Sequence, residues 1–94
     1  MLLFTNAEKR LIEKNYFIIL RETDDYIEIK SKNTKHLWII QKHSFVDDKK
    51  IYLYHKHSEK NKYYHKHWQC YTVRQCVGSI KNHDKYVIAQ KHLV

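Results

Sequence analysis

The tetrapeptide Tyr-His-Lys-His occurs twice in this chain, beginning at Tyr54 and again at Tyr64. The two copies contain four of the eight histidines, namely His55, His57, His65 and His67. A neutral imidazole nitrogen is a common ligand of Zn²⁺, which most often takes four ligands in a tetrahedron. The first chemistry that these residues suggest is therefore metal binding.

The geometry of a β-strand makes this suggestion specific. Residues two apart on a strand share a face, so the histidines of each copy point the same way. If residues 58–62 close a hairpin, cross-strand partners have residue numbers with a constant sum. A sum of 122 pairs 55 with 67 and 57 with 65, whereas an odd sum sets each histidine pair opposite Tyr and Lys. We expect both pairs on one face.

Two cysteines follow the second histidine pair and extend the candidate ligand set. Cys70 is close in sequence and offers a softer ligand, and Cys76 would complete a mixed site. Without a secretion signal, these cysteines are expected to be free thiols or ligands rather than a disulfide. The spacing matches no familiar zinc module, and the alternative is a solvated strand face rich in His, Lys and Tyr. The predicted metal ligands are His55, His57, His65, His67 and Cys70.

Length and composition set the limits of the fold. The 94 residues are expected to form a single domain, 1–94, and their apolar content of 43% suffices for a modest core. No apolar run approaches the roughly 20 residues of a membrane span, and the N-terminus does not read as a signal peptide. We expect a cytoplasmic protein that does not contact a membrane, either monomeric or weakly dimeric.

Positive charge is concentrated in the second half of the chain. Residues 1–47 hold eight Lys/Arg against seven Asp/Glu, whereas residues 48–94 hold ten against three. Such a surface attracts either phosphates or an acidic protein, although it can also simply be a soluble basic surface. Lysines and aromatic residues together would contact phosphates and stack on bases. The predicted binding residues are Lys56, Lys60, Lys62, Lys66, Trp68 and Arg74.

Caps and periodicity predict the elements that position these residues. Thr5 and Glu8 form a capping-box pattern at the start of a helix over 6–14, and Asn15 is a reasonable stop. Strands are predicted at 16–22, 26–31, 36–43, 50–57 and 62–68, with Ile27 and Ile29 pointing inward.

A second helix is predicted after the strands. Thr72 and Gln75 repeat the capping-box pattern, and an apolar stripe through Val77 and Ile80 indicates a helix near 73–82. Residues 85–90 read as a last strand. The predicted fold class is α+β, with an N-terminal helix, an antiparallel meander of four to five strands and a second helix, leaving one sheet face open.

The motifs of most enzyme classes are missing from the sequence. It contains no glycine-rich phosphate loop, no serine elbow and no His-Glu-x-x-His, so we expect a protein that is not an enzyme. His, Lys and Tyr can still supply a general acid and base for RNA cleavage, which keeps a ribonuclease toxin as an alternative. His83 and Asp84 form a weaker metal-binding dipeptide, more typical of a helix end.

The chain is rich in Lys, Asn, Ile and Tyr, with one glycine and no proline. In size and composition it resembles the small phage-encoded anti-CRISPR proteins that inhibit type II effector nucleases. This resemblance implies a non-enzymatic inhibitor of mobile-element origin that docks on a nucleic-acid-handling protein of the host cell. The alternative is direct binding of nucleic acid by the basic C-terminal half. The inhibitor would carry structural Zn²⁺ if the histidines bind metal.

Overall fold

The computed structural model describes residues 4–15, 17–42 and 51–92, with side chains through Gln90. Tyr16, His43 and Lys50, which the sequence assigned to strand ends, lie outside the described residues. The elements are α1 (Asn6–Lys14), β1 (Phe17–Glu22), β2 (Tyr26–Ser31), β3 (Leu37–Lys42), β4 (Ile51–Lys56), β5 (His65–Cys70) and α2 (Val73–His92).

Helix α1 has the boundaries that its capping box predicts. The Glu8 amide donates to Thr5 Oγ1 at 3.1 Å, and the Thr5 amide donates to Glu8 Oε1 at 2.8 Å. The helix stops at Asn15, whose side chain donates to the Leu11 carbonyl oxygen. The backbone amides of Thr5 and Glu8 are thus satisfied without tertiary contacts.

The five strands form one sheet in the order β1-β2-β3-β4-β5, and each neighbouring pair is antiparallel. The predicted α+β meander is confirmed. Ile27 and Ile29 are fully buried, as predicted, together with Ile40 and Leu53 on the neighbouring strands. Residues of the opposite face, such as Glu28, are only half-buried. The core therefore lies between one face of the sheet and the helices.

The β4–β5 hairpin contains a β-bulge. His55 pairs with His65 and Tyr54 with Lys66, but Leu53 pairs with Trp68, so His67 is an extra residue on β5. The register near the turn differs from the predicted one, which paired His55 with His67. Beyond the bulge the alternation of faces shifts by one residue, and Cys70 reaches the buried face.

Helix α2 is longer than predicted. The helix was expected to end near residue 82 and a strand to follow at 85–90, but these residues belong to the same helix, Val73–His92. Burial keeps the helical period beyond residue 82, because Asp84 takes an inward position that an apolar residue would normally occupy. A polar residue on the buried stripe concealed the continuation of the helix from the sequence pattern.

The sequence predicted no membrane-spanning segment. Neither helix of the described ranges is long and apolar enough to cross a membrane.

Candidate metal centre

Six histidines from four parts of the fold meet on the buried side of the sheet, and we call them the histidine cluster. Centroid distances between contacting rings run from 4.6 Å for His55 and His83 to 6.3 Å for His57 and His65. His55 is the hub, since its ring contacts each of the other five. The members of the cluster are His36, His55, His57, His65, His67 and His83.

The β4–β5 hairpin supplies four members of the cluster. His55 lies inside β4 and His57 follows its end, while His65 begins β5 and His67 is the bulged residue. The even register near the turn and the bulge together place all four on one side. The prediction that both histidine pairs share a face is confirmed by their ring contacts.

The other two members come from distant segments. His36 directly precedes β3, and His83 lies on α2. The buried carboxylate of Asp84 accepts hydrogen bonds from Ser31 Oγ at 2.5 Å and from Thr34 Oγ1 at 3.0 Å, which fixes α2 to the β2–β3 turn. This link holds His36 and His83 with their ring centroids 5.6 Å apart.

Trp38 forms an apolar wall of the cluster. It pairs with His55 across β3 and β4, and the two rings stack with centroids 4.0 Å apart and an interplanar angle of 21°. His67 and His83 meet the same indole edge to face. Trp38 and His55 are both fully buried, so this side of the cluster is shielded from water.

The cluster favours neutral imidazoles. Burial, together with the charges of His83, His36, His57 and His67, lowers the pKa of His55 to about 3. Burial and neighbouring histidines also lower the pKa of His67. For His83, burial lowers the pKa, and His57 and His65 lower it further against the opposing effect of Asp84. Neutral imidazole is the form that binds a metal ion.

Two groups of three histidines have ligand atoms close enough to share an ion. One consists of His36, His55 and His57, the other of His55, His65 and His67, and within each group the ligand atoms lie within 4.8 Å of one another. His36 Nδ1 and His55 Nε2 are 2.9 Å apart and share a hydrogen bond. Each group combines buried and more exposed histidines and can hold a metal ion on geometric grounds.

Two buried nitrogen atoms at the cluster have no hydrogen-bond partner among the described residues. They are Nδ1 of His83 and Nε1 of Trp38. A buried polar atom left unpaired typically costs about 1–3 kcal/mol. The cluster thus retains unused hydrogen-bonding or ligating capacity beside the two groups.

Cys70 is not brought together with the histidines. It pairs with Ile51, four residues along β4 from His55, which corresponds to about 13 Å. Its neighbour is Cys76, and both are buried free thiols in the core. Burial raises the pKa of the Cys76 thiol, and its hydrogen bond with Cys70 raises it further. Neither group of candidate ligands includes a cysteine.

The predicted binding residues lie mostly along β5 and its two ends. Lys66 and Trp68 are on β5, and the ammonium group of Lys66 lies 4.5 Å from the centroid of the Tyr52 ring. The ammonium group of Lys56, at the end of β4, lies 4.7 Å from the Tyr64 ring. The remaining three are exposed, in the β4–β5 connection and the first turn of α2: Lys60, Lys62 and Arg74.

Sequence reasoning missed His36, His83 and Trp38 as parts of the cluster. The sequence did contain a signal for His36, since His36 and Trp38 are two residues apart and share a strand face. The signal for His83 was its position three residues after the buried Ile80, which places both on one side of a helix.

Comparison with known proteins adds no assignment. No protein-family model, no curated protein and no solved structure matches this chain. The fold and the histidine cluster are the grounds for a functional proposal.

Proposed function

We propose that this chain is a small non-enzymatic binding protein whose fold is stabilised by a Zn²⁺ ion in the histidine cluster. The observation that carries the proposal is the pair of histidine groups that share His55 on a shielded face of the sheet. Imidazole suits zinc, copper, nickel and iron. We choose zinc because it is the usual ion of structural sites that are closed by histidines and cysteines.

The close contact of His36 with His55 supports the binding of a zinc ion. Zinc–nitrogen bonds of about 2.0–2.1 Å imply ligand nitrogens about 3.4 Å apart in a tetrahedron. The nitrogens of His36 and His55 are 2.9 Å apart, so an ion can replace their shared proton with a small movement. The other ligand nitrogens of each group lie within 4.8 Å of one another. Rotation of exposed imidazoles, such as those of His57 and His65, must bring them closer together around an ion.

A metal ion would be useful to a fold of this size. Each group of three histidines joins strands that are separate in the chain, and a small core leaves little stability to spare. An ion that binds only the folded chain adds its binding free energy to stability, about 4 kcal/mol at a thousandfold excess over Kd. The metal would thus act as a structural link rather than as a reactive centre.

The proposed inhibitory role has a separate basis. In this role the protein is an anti-CRISPR-like inhibitor that binds a nucleic-acid-handling effector of the host. The small size, basic charge and composition of the chain support the role. A charge of +8 favours docking on an acidic protein surface. Affinity purification from a bacterial lysate should recover a discrete protein partner that stays bound after nuclease treatment. Loss of every partner on nuclease digestion would contradict this role.

The zinc proposal is tested on protein purified without a histidine tag. We expect one zinc per chain by elemental analysis and a lower melting temperature after treatment with a chelator. His65→Ala should lose the ion and lower the melting temperature if the ion lies between His55, His65 and His67, and His57→Ala should do so if it lies between His36, His55 and His57. His92→Ala should do neither, because residue 92 lies nine residues beyond His83 on α2, about 13 Å along the helix axis. Little zinc together with an unchanged melting temperature would show that the histidines are only a buried aromatic cluster.

A further inference from the structure

We propose that the exposed edge of the sheet along β5 binds single-stranded nucleic acid. This surface lies beside the histidine cluster and shares only His67 with it, and the proposal does not depend on zinc binding. We call this edge the β5 surface, and it consists of Lys62, Tyr63, Lys66, His67, Trp68, Gln69, Tyr71 and Arg74.

The β5 surface exposes large aromatic side chains. Trp68 is 61% exposed, Tyr63 is 75% exposed and Tyr71 is 67% exposed. Trp68 lies on β5 and lines one groove with Tyr71, which follows the end of the strand, while Tyr63 precedes its start. Rings of this kind are the usual stacking platforms for unpaired bases, and they accept any base because each base has a flat face.

The charged residues of the β5 surface are all basic. The sequence has no Asp or Glu between Glu59 and Asp84, so no carboxylate belongs to the β5 surface. Lys62, Lys66 and Arg74 are exposed there. Glu59, the nearest acidic residue in sequence, forms an ion pair with Lys30 at 3.0 Å. These three cations have no acidic neighbour in the sequence between Glu59 and Asp84, and such a group of positive charges is complementary to a phosphate backbone.

The β5 surface also contains a groove. Lys66, His67, Trp68, Gln69 and Tyr71 line an open groove of about 470 Å³. The groove combines a cation for a phosphate, two aromatic rings for bases and an amide that can donate to and accept from a base edge. Its open form suits a strand that passes along it rather than a ligand that is enclosed.

An edge strand can also receive a strand from a protein partner. β5 pairs only with β4 among the described strands, which leaves one side of its backbone exposed. Added strands bind best where alternate side chains enter apolar pockets, whereas Lys66 and Gln69 are exposed polar residues and lysine on an edge strand opposes strand addition. A duplex would not expose its base faces to Trp68. The combination of rings and cations therefore favours an unpaired nucleic acid strand.

The test uses the protein as purified and fluorescently labelled 12-residue oligo(dT) and oligo(U), followed by fluorescence polarisation at low salt. We expect saturable binding that weakens linearly in log Kd against log salt concentration. Trp68→Ala should weaken binding roughly 5- to 100-fold. Tyr86→Ala, which removes an aromatic side chain that is 64% exposed on α2, is the matched control and should leave Kd unchanged.

Two further measurements separate stacking from simple charge attraction. Binding should quench the fluorescence of Trp68, because the other tryptophan, Trp38, is fully buried. Arg74→Gln should reduce the slope of the salt dependence by about one while leaving this quenching in place. If Trp68→Ala lowers the melting temperature, Trp68→Phe, which keeps a ring, should restore binding in a stable protein.

Three results would overturn the proposal. The first is no binding of either oligonucleotide at low salt. The second is equal binding of a duplex of the same length with no effect of Trp68→Ala, which would indicate attraction to phosphate without stacking. The third is tighter binding of a labelled polyglutamate peptide, which would assign the β5 surface to an acidic protein partner.

Discussion

The carboxylate of Asp84 on α2 accepts a hydrogen bond of 2.5 Å from the hydroxyl group of Ser31 at the end of β2, and both residues are buried. Ser31 Oγ also accepts from the amide of Asn33 at 3.2 Å, so one hydroxyl orders the turn and ties it to the helix. Lys35, with φ of 67°, completes this turn in the left-handed region. The contact joins residues 53 positions apart and sets the distance between His36 and His83.

Replacing Asp84 by Ala should reduce the free energy of unfolding by roughly 2–4 kcal/mol, because two buried hydroxyl groups lose their acceptor. Urea denaturation followed by circular dichroism measures the change. Asp24→Ala, at an exposed carboxylate in the β1–β2 turn, is the control and should change stability by less than about 0.5 kcal/mol. Equal effects of the two substitutions would show that the Asp84 contact contributes nothing specific.

The two histidine groups make different predictions about metal binding. If the ion lies between His55, His65 and His67, His67→Ala should release zinc whereas His36→Ala should retain it. The reverse result assigns the ion to His36, His55 and His57. Zinc content and competition with a chromogenic chelator distinguish the two cases. Retention of full zinc affinity by both variants would contradict binding in either group of three.

Metal-free protein should lose stability as the pH falls from 7 to 5. The folded pKa of His55, about 3, lies below the ordinary value of 6.5, so the unfolded chain takes up a proton that the folded chain does not. His55 alone should remove about 2 kcal/mol over this interval. The pKa values of His67 and His83 are shifted in the same direction.

Urea denaturation at several pH values in the presence of a chelator measures this dependence. The groups that face His55 are the other five histidines of the cluster, and ordinary carboxyl groups remain largely ionised above pH 5. His55→Gln should have a smaller slope than the parent protein. A stability that is flat between pH 7 and pH 5 would mean that the folded cluster accepts protons as readily as the unfolded chain.

Ribonuclease activity provides a test of the non-enzymatic proposal. Purified protein should not cleave RNA above the background of a mock purification, since the lowered pKa values of His55, His67 and His83 favour neutral histidines, which are poor proton donors. Cleavage of a fluorogenic RNA substrate that disappears in His57→Ala would favour the toxin alternative instead.

Local signals in the sequence predicted much of this architecture. The capping box of Thr5 and Glu8 fixed α1, and the alternation around Ile27 and Ile29 located β2 and its inner face. Two His-x-His pairs around a short spacer predicted the β4–β5 hairpin, although His55 pairs with His65 and not with His67 as expected. Each of these features depends on neighbours within a few residues, which is the range over which a sequence pattern can be interpreted directly.

The features that the sequence did not predict depend on tertiary contacts. The bulge at His67 shifts the face of Cys70, and no local pattern marks it. The inward position of Asp84 is favourable only because Ser31 lies opposite, so the sequence pattern alone suggested that α2 ends early. The sequence also did not predict that His36 joins the cluster, because its neighbours there come from β4 and α2.

The meander topology has a consequence for the order of folding. Every strand pairs with the next strand in the chain, so the sheet can grow by successive hairpins, each of which closes a short loop. Contacts between α2 and the β2–β3 turn, in contrast, close a loop of about fifty residues. We therefore expect the β4–β5 hairpin, with its four histidines, to form before α2 docks. The hairpin would then offer His55, His65 and His67 to a metal ion while the helix is still free.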